Sequence, residues 1–317
     1  MSMSPVLRVA SRGSALSLVQ AKTVRAALAR AHGWNEAALD SLCPIVPIKT
    51  TGDRIQDKPL AEAGGKGLFV KEIEEALLDR HADLAVHSMK DVPAVQPNGL
   101  AIVAVLKRED PRDVFIGQGG ATFAGLARGA RVGTSSVRRQ AQVLRARPDL
   151  VTTTLRGNVE TRLAKLMRAE ADGIVLARAG LQRLGLAPAG AEILDGEDWL
   201  PALCQGAIGI EIRGRDTRVH ELVSPINDQA TFSCITVERG FLAALDGSCR
   251  TPIAGIATVA GGKVGFRGEV LTTDGRNFWR ASRDIMTAKA DETGLAAMGR
   301  EAANDIREQA GNKLPRF

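Results

Sequence analysis

Five arginines stand in predicted loops or at predicted strand ends of this 317-residue chain. They are Arg12, Arg138, Arg139, Arg156 and Arg162. The planar guanidinium fork of arginine binds a carboxylate through two parallel hydrogen bonds, which a lysine cannot do. A surface salt bridge is the usual fate of any single arginine. Five arginines in comparable positions instead favour a site that binds carboxylate groups.

The segment VGTSSVRRQ (132–140) combines two of these arginines with a run of hydroxyl residues. A glycine and three hydroxyl residues at the start of a predicted helix offer N-caps and free backbone N–H groups, which suit an anion. Arg138 and Arg139 fall in the first turn of that helix, where the helix dipole disfavours cations. We therefore expect a bound carboxylate or phosphate beside them. The alternative is a capped helix with solvated arginines.

Asp91 and Cys249 could each carry chemistry of their own. Asp91 follows an apolar strand in HSMKDVP (87–93). In a cationic cleft it would stay ionised, and it could stabilise a cationic intermediate or shuttle a proton. Cys249 lies in the loop DGSCRTP (246–252), where Arg250 favours the thiolate. The alternatives are an exposed aspartate before a turn, a Schiff-base role for Lys90, and an inert cysteine.

The composition excludes several classes of protein. The net charge is +6, but aromatic residues make up only 3%, tyrosine is absent, and the basic residues are scattered, so small anionic ligands are favoured over nucleic acid. The four cysteines form no CxxC pair and the four histidines show no ligand spacing, so we expect no metal site. The sequence has neither a signal peptide nor an apolar run long enough to span a membrane, which predicts a cytoplasmic protein.

Strands alternate with helices over the first two thirds of the chain, which predicts parallel, doubly wound sheets. The predicted strands and helices are 6–10, about 14–31, 42–50, 68–80, 83–88 and 101–106, and then the strand–loop–helix segments 129–148, 150–170 and 172–184. The openings RVASRGSALSLVQA (8–21) and RVGTSSVRRQAQV (131–143) have the same layout, so we predict two similar lobes. Ligands bind at the carboxyl ends of parallel strands, so arginines and hydroxyls should line a cleft between the lobes.

The end of the chain predicts a separate α+β domain. A helix is expected over 231–246 and another over about 290–310. Between them, three strand-like runs at 253–260, 263–272 and 276–283 are joined by Gly-Gly and Asp-Gly turns, which indicates an antiparallel three-stranded sheet.

Nine segments, in one order along the chain, resemble the porphobilinogen deaminase family. They are SRGSALSLVQA (11–21), TTGD (50–53), GGKGLFVKEIEEAL (64–77), AVHSMKDVP (85–93), VGTSSVRRQ (132–140), LRGNVETRL (155–163), AGLQRLG (179–185), CQGAIGIE (204–211) and GSCRTPIAG (247–255). The resemblance implies an α/β protein of two doubly wound lobes like those of periplasmic binding proteins, plus the C-terminal α+β domain. Lobe 1 would comprise 1–106 and about 206–225, lobe 2 would comprise 107–205, and the C-terminal domain 226–317.

The resemblance also implies an activity, that of a hydroxymethylbilane synthase. Such a transferase joins four porphobilinogen molecules head to tail, with loss of ammonia, on a dipyrromethane cofactor, and then releases the linear tetrapyrrole hydroxymethylbilane by hydrolysis. The family builds this cofactor from its own substrate, so the resemblance implies no metal and no nucleotide. It also implies a cytoplasmic monomer.

The resemblance assigns roles to residues at matching positions. Cys249 would carry the cofactor through a thioether, and Asp91 would be the catalytic carboxylate. Further cofactor-binding residues would be Ser88, Lys90, Thr134, Ser135, Ser136, Arg138, Arg139, Arg156, Arg162 and Arg183. Substrate-binding residues would be Arg12, Ser14, Lys66, Phe69, Arg156 and Arg183. A mobile loop is expected at about 54–65.

A non-catalytic two-lobed receptor for a small polycarboxylate is the alternative to an enzyme. A nucleic-acid-binding protein is a more distant one, and it predicts binding that falls steeply with salt. An assay with porphobilinogen separates the first two functions, because a receptor would consume none.

Overall fold

The computed structural model describes residues 5–54, 67–246 and 251–314. Within those ranges the chain divides into two compact units. Unit 1 comprises 5–54, 67–109 and 207–232, and unit 2 comprises 110–206, 233–246 and 251–314. Unit 2 contains both an α/β sheet and the C-terminal sheet, so the predicted division into three domains stays a prediction. In the described ranges, no helix is both long and apolar enough to cross a membrane.

Strands and helices alternate along most of the described chain. The strands are β1 (Val9–Arg12), β2 (Ile45–Ile48), β3 (Leu84–Ser88), β4 (Leu100–Val105), β5 (Asp113–Gly117), β6 (Arg131–Gly133), β7 (Val151–Thr153), β8 (Gly173–Ala177), β9 (Glu192–Leu194), β10 (Ile208–Arg213), β11 (Ile253–Ala260), β12 (Lys263–Leu271) and β13 (Phe278–Met286). The helices are α1 (Ala15–His32), α2 (Leu39–Leu42), α3 (Thr51–Arg54), α4 (Lys71–Leu78), α5 (Val137–Ala146), α6 (Val159–Met167), α7 (Arg178–Arg183), α8 (Thr217–Val223), α9 (Gln229–Ala244) and α10 (Glu292–Ala310).

Two five-stranded sheets share one topology. The first sheet, in unit 1, has the order β2-β1-β3-β10-β4, and the second sheet, in unit 2, has the order β7-β6-β8-β5-β9. In each, one strand runs antiparallel to both of its neighbours: β10 in the first sheet and β5 in the second. We call these the reversed strands. The predicted pair of similar α/β lobes is confirmed, and each sheet differs from a purely parallel one only in its reversed strand.

Each sheet is buried on both faces, because successive strand residues point to opposite sides. In the first sheet, Val9 packs into a buried hydrophobic cluster with Leu28 of α1. Ala10, on the other face, packs into a second cluster with Ile73 of α4. In the second sheet, Ile174 and Val175 likewise belong to separate clusters on opposite faces. The apolar layers hold the strand ends, and the residues that follow them, in fixed positions.

The C-terminal sheet is antiparallel, with the order β11-β12-β13, as predicted. Gly261 and Gly262 join β11 to β12 with φ of 55° and 74°, values that favour glycine in a tight hairpin. Helices α9 and α10 contact each other through backbone. A Cβ on Gly240 would lie 2.4 Å from the Ala296 carbonyl oxygen, and one on Gly299 would lie 2.1 Å from that of Val237.

Candidate active site

In unit 1, two parallel strands end side by side with polar residues. Strand β1 ends at Arg12 and β3 ends at Ser88, which leads into a single 3-10 turn, Met89–Asp91. Because the carboxyl ends of parallel strands share one edge of the sheet, the sequence-predicted residues Arg12, Ser88, Lys90 and Asp91 come to the same edge.

The turn that carries Asp91 is anchored by its neighbour Met89. Met89 is buried, and its Sδ occupies the space beside Gly209 of β10, where a Cβ would lie only 2.0 Å away. Asp91 is half-buried, and among the described residues its carboxylate has no hydrogen bond or ion pair. A fixed backbone with an unengaged carboxylate is suited to contact a ligand.

Behind this edge lies a neutral hydrogen-bond network. Ser14 caps α1 by accepting from the Ser17 N–H at 3.3 Å. The Gln20 amide donates to Ser88 Oγ at 2.7 Å, and the Ser88 hydroxyl is 3.1 Å from Gln20 Oε1. Two predicted ligand residues, Ser14 and Ser88, therefore also hold the local structure together.

Arg12 is held by an aspartate and an aromatic ring of the same unit. Its Nε and Nη2 both donate to the Asp53 carboxylate, and its guanidinium carbon lies 4.3 Å from the centre of the Phe69 ring. Burial alone would raise the pKa of Asp53, but hydrogen bonds from Arg12 and Thr50 and the charge of Arg12 hold it below the usual range. The sequence predicts a role for Arg12 and Phe69 but none for Asp53.

In unit 2, the hydroxyl run follows strand β6. Ser136 caps α5 by accepting from the Arg139 N–H at 3.4 Å, and Thr134 Oγ1 accepts from the Ser136 N–H at 3.1 Å. Strands β6 and β7 are parallel neighbours, so Thr134, Ser135 and Ser136 lie at the same sheet edge as Arg156, which comes after β7.

Arg138 and Arg139 surround a buried carboxylate of the chain itself. Asp113, the first residue of the reversed strand β5, is fully buried, and the arginines are 3% and 5% exposed. Asp113 Oδ2 lies 2.9 Å from Arg138 Nη1, and Oδ1 lies 2.7 Å from Arg139 Nη2. Burial would raise the pKa of Asp113, but the two positive charges hold it far below its usual range. The anion expected beside this helix start is thus internal, and the two arginines are not solvated.

Neutral donors complete the environment of Asp113. Trp199 Nε1 donates to Oδ2 at 3.2 Å, and Gln205 Nε2 donates to Oδ1 at 2.8 Å. Two guanidinium groups face one carboxylate, so one positive charge remains in excess at the first turn of α5. That excess can attract a further anion.

The remaining arginines of unit 2 differ in how they are engaged. Arg162 donates to the Gly157 carbonyl at 2.8 Å and to Ser135 Oγ at 3.2 Å. Arg183, at the end of α7, donates to the Gly206 carbonyl at 2.7 Å. Arg156 is half-buried, and its buried Nη1 has no hydrogen-bond partner within the described ranges. An unsatisfied buried N–H group is costly, so Arg156 is the arginine of this set most suited to an external carboxylate.

Part of the predicted site lies outside the described residues. Cys249 and Lys66, and residues 55–65 of the predicted mobile loop, lie outside the described residues. The two sets of site residues belong to different units, so the cleft between the lobes stays a prediction. All the roles assigned above to individual residues likewise stay predictions.

A second buried carboxylate, Glu211 of the reversed strand β10, was not predicted from the sequence. His87 Nε2 lies 3.0 Å from Glu211 Oε2, with both residues buried. On α4 nearby, burial and the negative charge of Glu211 raise the pKa of Glu74 to about 7. The only sequence signal is a histidine and a glutamate inside apolar strands, 124 residues apart.

Known proteins match the chain along almost its whole length. The family model "Porphobilinogen deaminase, dipyromethane cofactor binding domain" matches residues 7–221, and the C-terminal domain model of the same family matches 232–308. The porphobilinogen deaminases of Nitrobacter winogradskyi and Nitrobacter hamburgensis are each 50% identical to it over 306 residues, which cover 96% of this chain and 94% of each relative.

A solved structure is also similar to this chain. An arginine-specific periplasmic binding protein of Salmonella typhimurium aligns with a TM-score of 0.38 and 12% identity, covering 72% of this chain and 94% of that one. Half of the residues are shared with each Nitrobacter enzyme and both domain models match, so the relationship is settled by sequence. This chain belongs to the porphobilinogen deaminase family, transferases of tetrapyrrole biosynthesis with a dipyrromethane cofactor, as its sequence predicts.

Proposed function

We propose that the protein is a hydroxymethylbilane synthase with Asp91 as its catalytic carboxylate and Cys249 as its cofactor anchor. The observation that carries the proposal is the position of Asp91. Its half-buried carboxylate stands on a turn fixed by Met89, at the sheet edge that also bears Arg12, and it has no internal partner among the described residues.

The residues of unit 2 fit a ligand that carries several carboxylates. The buried, unsatisfied Nη1 of Arg156 calls for an external acceptor, and the pair Arg138 and Arg139 has one more positive charge than Asp113 balances. We assign these arginines, with Arg162, Arg183, Lys90, Ser88 and the hydroxyls of 134–136, to the acetate and propionate groups of the cofactor. When bound, dipyrromethane supplies the pyrrole carbon to which substrate is joined.

Asp91 acts on the reacting pyrrole. Its carboxylate accepts hydrogen bonds from pyrrole N–H groups and stabilises the positive charge that develops on the ring as ammonia leaves. A carboxylate is most effective in this role when no internal cation already neutralises it. The same oxygen atoms can accept the proton that a pyrrole ring loses when a new carbon–carbon bond forms.

Arg12, Ser14, Phe69, Lys66, Arg156 and Arg183 are proposed to bind substrate. Each porphobilinogen brings two carboxylates, so negative charge accumulates as the chain lengthens. Arginine neutralises such groups with matched geometry and without loss of its own proton. We further propose a cytoplasmic monomer, in keeping with the resemblance, and gel filtration and cell fractionation test those two points.

Intact mass measurement tests the function and the anchor together. The purified protein should exceed its sequence mass by one dipyrromethane, and Cys249→Ser should lack that increment. Cys234→Ser, a change at a buried cysteine of α9, is the control and should keep the added mass. An unmodified wild type that porphobilinogen does not convert, and that consumes no porphobilinogen, would refute the proposed enzyme and leave the receptor as the function to test.

The role of Asp91 has its own test. Asp91→Ala should abolish porphobilinogen consumption while leaving the unfolding temperature close to that of the wild type, because this carboxylate has no internal partner among the described residues. Asp79→Ala, at an exposed aspartate after α4, should keep full activity. Normal turnover by Asp91→Ala would remove Asp91 from the mechanism.

A further inference from the structure

Asp53 and Phe69 hold Arg12 on two sides. We propose that Asp53 is a positioning residue, which orients Arg12 so that the outer edge of its guanidinium meets a carboxylate of incoming porphobilinogen. The inference rests on the proposed role of Arg12 in binding substrate, and it extends that role to a residue with no assigned one.

The geometry of the guanidinium defines which of its edges is used. Of its five N–H groups, the one on Nε and one on Nη2 face the Asp53 carboxylate, with Nε 3.4 Å from Oδ2. Phe69 covers one face, 4.3 Å from the guanidinium carbon. Within the described residues, Nη1 of Arg12 makes no hydrogen bond. The Nη1–Nη2 edge therefore remains, and it is the kind of two-pronged edge that binds a carboxylate.

Asp53 is itself held in place. Its Oδ2 accepts from the backbone N–H of Thr50 at 3.2 Å and from the Thr50 hydroxyl at 2.7 Å, and Thr50 is fully buried. The Thr51 N–H donates to Glu72 of α4 at 2.8 Å, which ties the same turn to a helix of the core. The carboxylate that orients Arg12 is thus part of a rigid turn.

Phe69 is placed by the absence of a side chain at Gly52. A Cβ on Gly52 would lie 2.3 Å from the Phe69 ring, and the Gly52 N–H donates to the Leu68 carbonyl at 2.8 Å. The ring therefore packs directly against the turn that bears Asp53. One local structure supplies both the carboxylate and the aromatic face that enclose Arg12.

A positioning role and a competing role predict opposite effects. If Asp53 competed with substrate for Arg12, its removal would strengthen substrate binding. Because Asp53 occupies the Nε side, however, a substrate carboxylate can bind the Nη1–Nη2 edge without displacing it. Loss of Asp53 releases a long, flexible side chain that substrate binding must then immobilise, so binding should weaken.

Steady-state kinetics of the holoenzyme separate the two roles. Asp53→Ala should raise the KM for porphobilinogen about tenfold and change kcat less than about threefold, since orientation of the substrate is lost and the catalytic carboxylate is not. Asp53→Asn keeps one acceptor and should give an intermediate KM. Intact mass at graded porphobilinogen concentrations should show that the Ala variant needs more substrate to load its first unit. An unchanged or lower KM in Asp53→Ala would overturn the proposal.

A double-mutant cycle and a matched control complete the test. In an Arg12→Gln background, Asp53→Ala should not raise the KM for porphobilinogen any further. If the two substitutions instead multiplied each other's effect on KM, Asp53 would act independently of Arg12 and the proposal would be overturned. Thr50→Val removes one hydrogen bond to the Asp53 carboxylate and should leave KM within about twofold of wild type. A rise in KM equal to that of Asp53→Ala would overturn the proposal, because the effect would then come from disturbance of the turn. A normal KM in Arg12→Gln alone would instead refute the proposed role of Arg12.

Discussion

The two α/β sheets have corresponding strand orders, yet their buried carboxylates have opposite surroundings. Each reversed strand carries one fully buried acid: Asp113 in the second sheet and Glu211 in the first. Two arginines and two neutral donors surround Asp113. The Glu211 carboxylate contacts the His87 ring, with Oε2 3.0 Å from Nε2, and within the described ranges its buried Oε1 has no hydrogen bond.

The difference shows that shared topology does not fix local electrostatics. Around Asp113 cations are in excess, so the pKa of the carboxyl falls. Around Glu211 acids are in excess, and the pKa of Glu74 rises to about 7 through burial and the charge of Glu211. The second sheet thus keeps a positive charge beside the edge that is predicted to face the ligand, whereas Glu74, beside the first sheet, holds a proton near neutral pH. Three substitutions can break or sharpen this contrast.

Asp113→Ala should have the largest effect. It leaves two buried guanidinium groups without their carboxylate, and breaking a buried ion pair in this way costs about 3–5 kcal/mol of unfolding free energy. Urea denaturation at pH 7 measures the loss. Because the pKa of Asp113 is lowered in the folded state, its ionised carboxylate stabilises the fold above about pH 3.9, and this stabilisation is lost as the pH falls. The difference in unfolding free energy between wild type and Asp113→Ala should therefore narrow in acid.

Asp149→Ala is the matched control for that substitution. Asp149 also pairs with an arginine of unit 2, Arg147 at 2.7 Å, but at the surface, so its removal should change the urea midpoint little. If Asp113→Ala were no more destabilising than Asp149→Ala, the buried charge network would not stabilise the second sheet.

Glu74→Gln should have a smaller effect of opposite sign. The folded-state pKa of Glu74 is about 7 against 4.5, so the wild type loses stability as the pH rises from 4.5 through 7. Glu74→Gln should not lose stability over this pH range. At pH 8 its unfolding free energy should exceed that of the wild type by about 1 kcal/mol, a value reduced for the partial exposure of the side chain. Unfolding temperatures at pH 5 and pH 8 measure this. Glu75→Gln, at the exposed neighbour, should show no such gain, and parallel pH profiles for wild type and Glu74→Gln would contradict the expectation.

Glu211→Gln should have the smallest effect, a change in the titration of Glu74. Burial is the largest cause of the raised pKa of Glu74 and the charge of Glu211 is the next. The substitution should therefore lower the pKa of Glu74 below 7 but leave it above 4.5. Carboxyl-carbon NMR titration of Glu74 reports the change, and a titration identical to that of the wild type would show that the two acids are not coupled.

The sequence predicted the parallel parts of the fold because each strand–loop–helix segment is local. The strand predicted at 83–88 became β3, the segment 172–184 begins with β8, and the Gly-Gly turn of the C-terminal sheet lies where it was expected. The reversed strands were not predicted. Strand β10 pairs with β4 after more than 100 intervening residues, and no local alternation or turn residue records such a pairing.

The site was predicted in the same partial way. A bound carboxylate or phosphate was predicted beside Arg138 and Arg139, whereas the carboxylate that both arginines contact is that of Asp113, which lies on an earlier strand. Asp53 was missed for the same reason, since its partner Arg12 is 41 residues away. Family motifs located Asp91 and Arg156, and only the structure distinguishes residues with internal partners from Asp91, which has none among the described residues.

Contact between α9 and α10 through Gly240 and Gly299 has a consequence for the amount of protein in the cell. Backbone lies where any side chain at these positions would be, so a larger residue forces the helices apart and leaves apolar surface exposed. Chains with such defects are removed by chaperones and proteases. A substitution at either glycine would therefore appear as a shortage of enzyme, while the molecules that survive would work at the normal rate.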